Sequence, residues 1–133
     1  YTAGHLGIQW AWFMVSEAWN GVFSSSNAPT PYGQSDTIKA VVVMTDGQFN
    51  TVRGSNGNAS LSADLARQMC SAMRDKEVWV FSVGFELNNE DARQVLRDCA
   101  GTADRFFLAE DGESLRTAFA SIALQLNNLR LSR

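Results

Sequence analysis

Histidine is almost missing from these 133 residues: His5 is the only one. There are two cysteines, Cys70 and Cys99, and no Cys-x-x-Cys, so a zinc site has too few ligands at the wrong spacing. No Gly-x-Ser-x-Gly elbow occurs, and no serine or cysteine nucleophile sits in a recognisable setting beside His5. The stretch from Gly54 to Gly57 is too short for a phosphate loop and lacks its Lys-Ser/Thr. No apolar run approaches the ~20 residues of a membrane span. The formal net charge is −3, with no cluster of Lys or Arg, so there is no electrostatic footprint for nucleic acid or an anionic membrane. Internal repeats and low-complexity tracts are absent too. The chain opens on Tyr-Thr-Ala-Gly without an initiator Met, so it is expected to be a piece of a longer protein.

What remains is a sequence able to build a core. Hydrophobic residues make up 45% and charged residues 19%, and the length suits one domain, residues 1–133. Residues 4 to about 20 lack breakers after Gly7, and their broad apolar stripe predicts a helix buried on most of its circumference. Residues 21–37 hold both prolines and read as a loop. Ile38 to Thr45 is apolar without alternation, the pattern of a central strand covered on both faces. Residues 46–60, rich in Gly, Asn and Ser, form a second loop. Leu61, Leu65, Met69 and Met73 then recur every four residues, predicting a helix to about Lys76. Val78 to Gly84 is a second strand. Asn88 is expected to cap a helix running to Cys99, with Glu90 and Asp91 in its first turn. Arg105 to Ala109 gives a third strand. Asp111 is expected to cap a last helix whose inner face is Leu115, Phe119, Ile122, Leu126 and Leu129.

Strands alternating with helices imply an α/β fold of three layers, a mostly parallel sheet with helices on both faces. Such sheets bind ligands beyond the carboxyl ends of their strands. Asp46 is the first residue past the most apolar strand, where a rigidly held carboxylate faces that region. Thr45-Asp46-Gly47 is by itself also an ordinary turn, since Asp and Gly both favour turns.

The wider context is more specific. A strand ending Val42-Val43-Met44-Thr45-Asp46-Gly47 with Asn50 follows a helix with Thr2, Gly7 and Trp10-Ala11-Trp12. Phe81-Ser82-Val83-Gly84-Phe85, Cys99-Ala100, Phe106-Phe107 and Leu129-Arg130-Leu131 come after it. Together these resemble the C-terminal part of a von Willebrand factor A-like domain, and more narrowly that of TadG-type proteins of the bacterial tight-adherence (Flp) pilus-assembly systems. In that family three loops form a metal-ion-dependent adhesion site. The resemblance implies that Thr2 is the second-loop ligand and Asp46 the third-loop ligand. The first-loop motif, Asp-x-Ser-x-Ser, is absent from the chain and would precede Tyr1, with the domain's N-terminal strands. Mg²⁺ suits such oxygen ligands and leaves room for a partner's carboxylate. The resemblance therefore implies Mg²⁺ in the full-length protein and no tightly held metal on this chain.

The two cysteines alone fit buried thiols or a disulfide. The resemblance implies the periplasm or cell surface, an oxidising setting, with attachment to the inner membrane by an N-terminal segment; it favours a Cys70–Cys99 disulfide. His5 is expected to be solvated or capping. Trp10, Trp12, Trp19 and Trp79 are expected to pack in the core or between helix and sheet, and 54–57 to form a surface loop. The function expected is protein binding in pilus assembly or adhesion, without catalysis and without nucleic acid or membrane contact by this segment. The alternatives are a Mg²⁺-dependent hydrolase or phosphotransfer domain using Asp46, or a purely structural domain without metal. Against the enzyme, Asp36 and Asp46 are the only acids between Glu17 and Asp64. With the adhesion-motif strand absent, one edge of Ile38–Thr45 is expected to be open, and a homodimer to form through it.

Overall fold

The computed structural model describes residues 3–24, 26–52, 55–56 and 59–131, with the side chains of 55 and 56 left aside. The elements in chain order are α1 (Gly4–Val15), β1 (Ala40–Thr45), β2 (Thr51–Val52), β3 (Ser55–Asn56), α2 (Ala59–Asp75), β4 (Trp79–Phe85), α3 (Glu90–Ala100), β5 (Phe106–Ala109) and α4 (Gly112–Leu131). β1, β4 and β5 form one parallel sheet in the order β1-β4-β5, with Val42 opposite Phe81 and Val83 opposite Phe107. Helices α1, α2 and α3 cover one face through Ile8, Ala66, Cys70, Met73, Val95 and Leu96, packed on Val41, Val43 and Val80. α4 covers the other, setting Ile122 on Phe81 and Val83. This is the α/β architecture with helices on both faces that the alternation of elements implies.

β4 is the spine. Every residue from Val80 to Gly84 is buried. At Gly84 a Cβ would come within 2.9 Å of Leu108 and 3.1 Å of Leu87, so only glycine lets α3 and β5 close in. The Ser82 hydroxyl donates to the Leu96 carbonyl at 2.7 Å, which satisfies a polar group placed in the core. Cys70 and Cys99 are bonded as a disulfide, fully buried, joining α2 to the end of α3 with their Cα atoms 4.9 Å apart.

Several local expectations need correction. β1 has no second strand neighbour among the described residues, as expected, but it is not covered on both faces: only Val41 and Val43 are buried, and Val42 and Met44 are 38% and 47% exposed because α4 lies over β4 and β5 rather than over β1. α1 ends at Val15, where Ser16 turns extended and its hydroxyl caps a single 3₁₀ turn, Glu17–Trp19. Its buried residues are His5 and Ile8, while Leu6, Trp10 and Met14 face outward, so the helix is not buried round most of its circumference. The inner face of α2 is Ser62, Ala66, Cys70 and Met73, one residue round from the leucine register, and Leu61 is exposed. Asn89, not Asn88, caps α3, accepting from the Ala92 amide at 2.8 Å. In α4, Ala118 takes the place expected for Phe119, which is 42% exposed. The stretch read as a loop after β1 also contains the two-residue pair β2–β3. Gly54 and Gly57 lie outside the described residues.

The long loop back to the sheet is tied down by one lysine. The Lys39 ammonium donates to the Val15 and Thr30 carbonyls and lies 4.5 Å from the centre of the Tyr32 ring. Burial pulls its pKa below the usual lysine range, with Glu17 opposing that shift. The charge sits at the carboxyl end of α1, where it complements the helix dipole. Tyr32 in turn accepts from the Trp12 indole at 2.9 Å.

Candidate functional site

The carboxyl end of β1 is held by a compact turn. The Gly47 amide donates to the Thr45 hydroxyl at 3.2 Å, and that hydroxyl donates back to the Gly47 carbonyl at 3.2 Å. Thr45 is thereby committed to its own turn. Asp46, between them, is exposed, and its carboxylate makes no hydrogen bond among the described residues. Phe49 folds back under this turn, 4% exposed, and packs against Gly4 so tightly that a Cβ at Gly4 would overlap its ring. That contact brings the start of α1 to the end of β1. Thr2 lies outside the described residues.

The donor set around Asp46 does not make a closed metal site. Among the described residues Asp46 offers one carboxylate, the Thr45 hydroxyl is engaged in its own turn, and no group of three or more His, Cys, Asp or Glu converges. Glu86, Glu110 and Asp111 follow the ends of β4 and β5 and are exposed as well. Hydrogen bonds from Ser114 hold Asp111 below the usual carboxylate range.

His5 is neither solvated nor a cap. It is 4% exposed, and its Nδ1 lies 2.9 Å from the hydroxyl of Ser62, itself fully buried. The pair joins α1 to α2 across 57 residues of sequence. Trp12 and Trp79 are half-buried, Trp79 with the Arg105 guanidinium 3.8 Å from its ring centre. Trp10 departs from the expected core role: it is 59% exposed, against Phe13 and Trp19 on the outer side of α1.

The feature that sequence reasoning missed is a groove of about 370 Å³ along the open side of β1. Its walls are Ala3, Gly4, Gly7, Ile8 and Ala11 of the α1 segment, with Phe49; its floor is Val42 to Thr45. The Trp79 amide donates to the Lys39 carbonyl at 2.8 Å. In a parallel pair such bonds recur at every second residue. Val41 and Val43 therefore face β4 with their backbone groups, and Ala40, Val42 and Met44 turn theirs to the open edge, where β1 has no strand neighbour among the described residues. The visible sequence signal for the groove was the four-residue spacing of Ala3, Gly7 and Ala11.

The model of the von Willebrand factor type A domain matches residues 15–121, most of the chain and all three strands of the sheet. The chain belongs to the von Willebrand factor type A domain family. Domains of this family commonly mediate protein binding and adhesion. A search of curated proteins found no match. In this von Willebrand A domain the residue expected to face a partner, Asp46, is accessible, and the groove beside it lies on the same strand. No helix among the described residues is long and apolar enough to cross a membrane.

Proposed function

We propose that this von Willebrand A domain is a protein-binding module of a TadG-type pilus-assembly protein, acting in assembly or adhesion in the bacterial periplasm or at the cell surface. The observation that carries the binding role is the accessible carboxylate of Asp46 at the carboxyl end of a rigid strand, in a domain of a family that commonly binds proteins. The buried Cys70–Cys99 disulfide supports an oxidising compartment. The pilus assignment rests on the sequence resemblance. In this reading two copies pair through the open edge, and a divalent cation such as Mg²⁺ would join Asp46 to donors outside the described residues.

The module works by binding and carries no catalysis. A phosphoryl-transfer site needs several acids near one strand end, and no group of three or more His, Cys, Asp or Glu converges among the described residues. The one Ser–His pair is sealed between helices, out of reach of substrate. The experiment is genetic and biochemical together. In a bacterium that assembles pili with this protein, Met44→Lys and Asp46→Ala should each reduce surface pili while leaving protein levels unchanged. Full piliation with both variants would overturn the pilus reading. Turnover of a phosphate ester by the purified chain with Mg²⁺, lost in Asp46→Ala, would overturn the binding reading in favour of the enzyme.

A further inference from the structure

We infer that the cleft between the starts of α2 and α3 takes an arginine or lysine side chain from a protein partner. This deepens the binding role proposed above and rests on it, since it names the chemistry that a partner presents beside Asp46. The cleft holds about 280 Å³. That is just below the ~300–1,000 Å³ of small-molecule sites and suits one long side chain. Its lining comes from α2, from α3 and the residue before it, and from Gln48 and Phe49. Among the described residues none of α1 or β1 contributes, so the cleft does not depend on what covers the free side of β1. Gln48 is two residues past Asp46, which places the rim within about 7 Å of it along the chain.

The cleft is apolar at its base and polar at its mouth. Phe49, Ala92 and Val95 are buried, and Ala63 is half-buried. Such a base suits the aliphatic stem of a long cationic side chain, whose head stays at the surface. Gln48 and Asp91 are exposed at the mouth, and neither side chain makes a hydrogen bond or ion pair among the described residues. Both offer acceptors to a cation. A purely apolar occupant would leave them unused.

Charge sets the sign of the occupant. Residues 46–49, 59–67 and 89–95 contain four acids, Asp46, Asp64, Glu90 and Asp91, and two bases, Arg67 and Arg93. Both bases are answered within the chain. Arg67 donates to Asp98 at 2.7 Å and to Asp64 at 3.2 Å. Arg93 donates to the Leu87 carbonyl at 2.7 Å and lies 3.7 Å from Glu90. The starts of α2 and α3 each add roughly +0.5 charge. Glu90 and Asp91 offset the one at α3, while α2 has no acid in its first turn. The balance stays negative, so a cation complements the cleft and an anion does not.

NMR titration of the ¹⁵N-labelled chain with N-acetylarginine amide tests this, with N-acetylleucine amide and N-acetylglutamate α-amide as comparators. The arginine compound should shift the backbone amides of Gln48, Ala63, Asp91 and Val95 saturably. Its Kd should be on the order of 1 mM, the strength open to a ligand of this size. Added NaCl should weaken it. Asp91→Asn, a change at an exposed position, should weaken it about three- to fivefold. Ala59→Leu, which lays a longer side chain across the mouth from an exposed helix start, should abolish it. The inference is overturned if these amides show no saturable shift, or if the leucine compound binds as well. It is overturned equally if the glutamate compound binds more tightly, or if both variants bind arginine as the wild type does. Should arginine fail to bind while Asp46→Ala still reduces surface pili, the cleft is lost and the proposed function stands. Arginine binding as described, with full piliation in Asp46→Ala and Met44→Lys, keeps the cleft and loses the pilus reading.

Discussion

At the residue scale, the end of β1 depends on a missing side chain. Gly4 lies in the first turn of α1, where alanine would normally be the better helix former by up to about 1 kcal/mol. Here the Phe49 ring occupies the space a Cβ would need. Gly4→Ala should therefore destabilise the fold, by about 1–3 kcal/mol in urea unfolding, because overpacking outweighs propensity. Gly4→Ala with Phe49→Leu should lose less than the two single changes together, since the leucine yields the space. A Gly4→Ala protein as stable as the wild type would show that the ring moves aside freely. Asp46 carries the other residue-scale prediction. A single free carboxylate next to a committed hydroxyl should bind Mg²⁺ or Mn²⁺ only weakly, and calorimetric titration of this chain should give a Kd above about 10 μM. Tighter binding would mean that further ligands assemble around Asp46.

At the element scale, the α2–α3 pair is locked by the disulfide. The bond closes a loop of 29 residues in sequence, and replacing both cysteines by serine should cost roughly 2–4 kcal/mol, read from the urea midpoint. A cost near zero would show that the helices hold without it. The start of α4 is set by Asp111, whose carboxylate accepts from the Ser114 amide at 2.8 Å. Its folded pKa is depressed, so its contribution is complete above the ordinary aspartate value of about 3.9 and is lost as pH falls through the lower folded value. Asp111→Asn should leave a capped helix and flatten the stability profile in that acid window; an unchanged profile would contradict the coupling. This cap was legible because an aspartate just before a helical run is a local signal. The strands were legible too, as apolar runs between turn residues. The inner face of α2 was not. Its core residues Ser62, Ala66 and Cys70 are small or polar, chosen to let His5 and Cys99 approach, while hydrophobicity alone points to Leu61 and Leu65. α1 misled for the opposite reason: a helix apolar all round has no face to read.

At the scale of the whole molecule, packing is uneven, and stability should be uneven with it. β4 is buried through most of its length between helices on both sides, and α3 buries five residues beside the disulfide. α1 buries two, has no side-chain cap at its N-terminus, and borders the groove on its open side. The position of Asp46 and the open side of β1 could be foreseen, but the thin packing of α1 could not, because it depends on a Ser–His contact that pairs residues 57 apart. Segments with few buried contacts open locally, below the cost of global unfolding. Native-state hydrogen exchange on dilute protein should therefore find α1 amides exchanging through an opening that denaturant barely affects, while β4 amides exchange only by global unfolding. Reducing the disulfide should lower protection in β4 and α3 and leave the opening of α1 where it was. The order matters for binding, because the element that opens most easily is the one that walls the free strand edge, and an incoming strand then meets a movable wall. Equal protection of α1 and β4, falling in parallel as denaturant is added, would show one cooperative unit and remove that freedom from the edge.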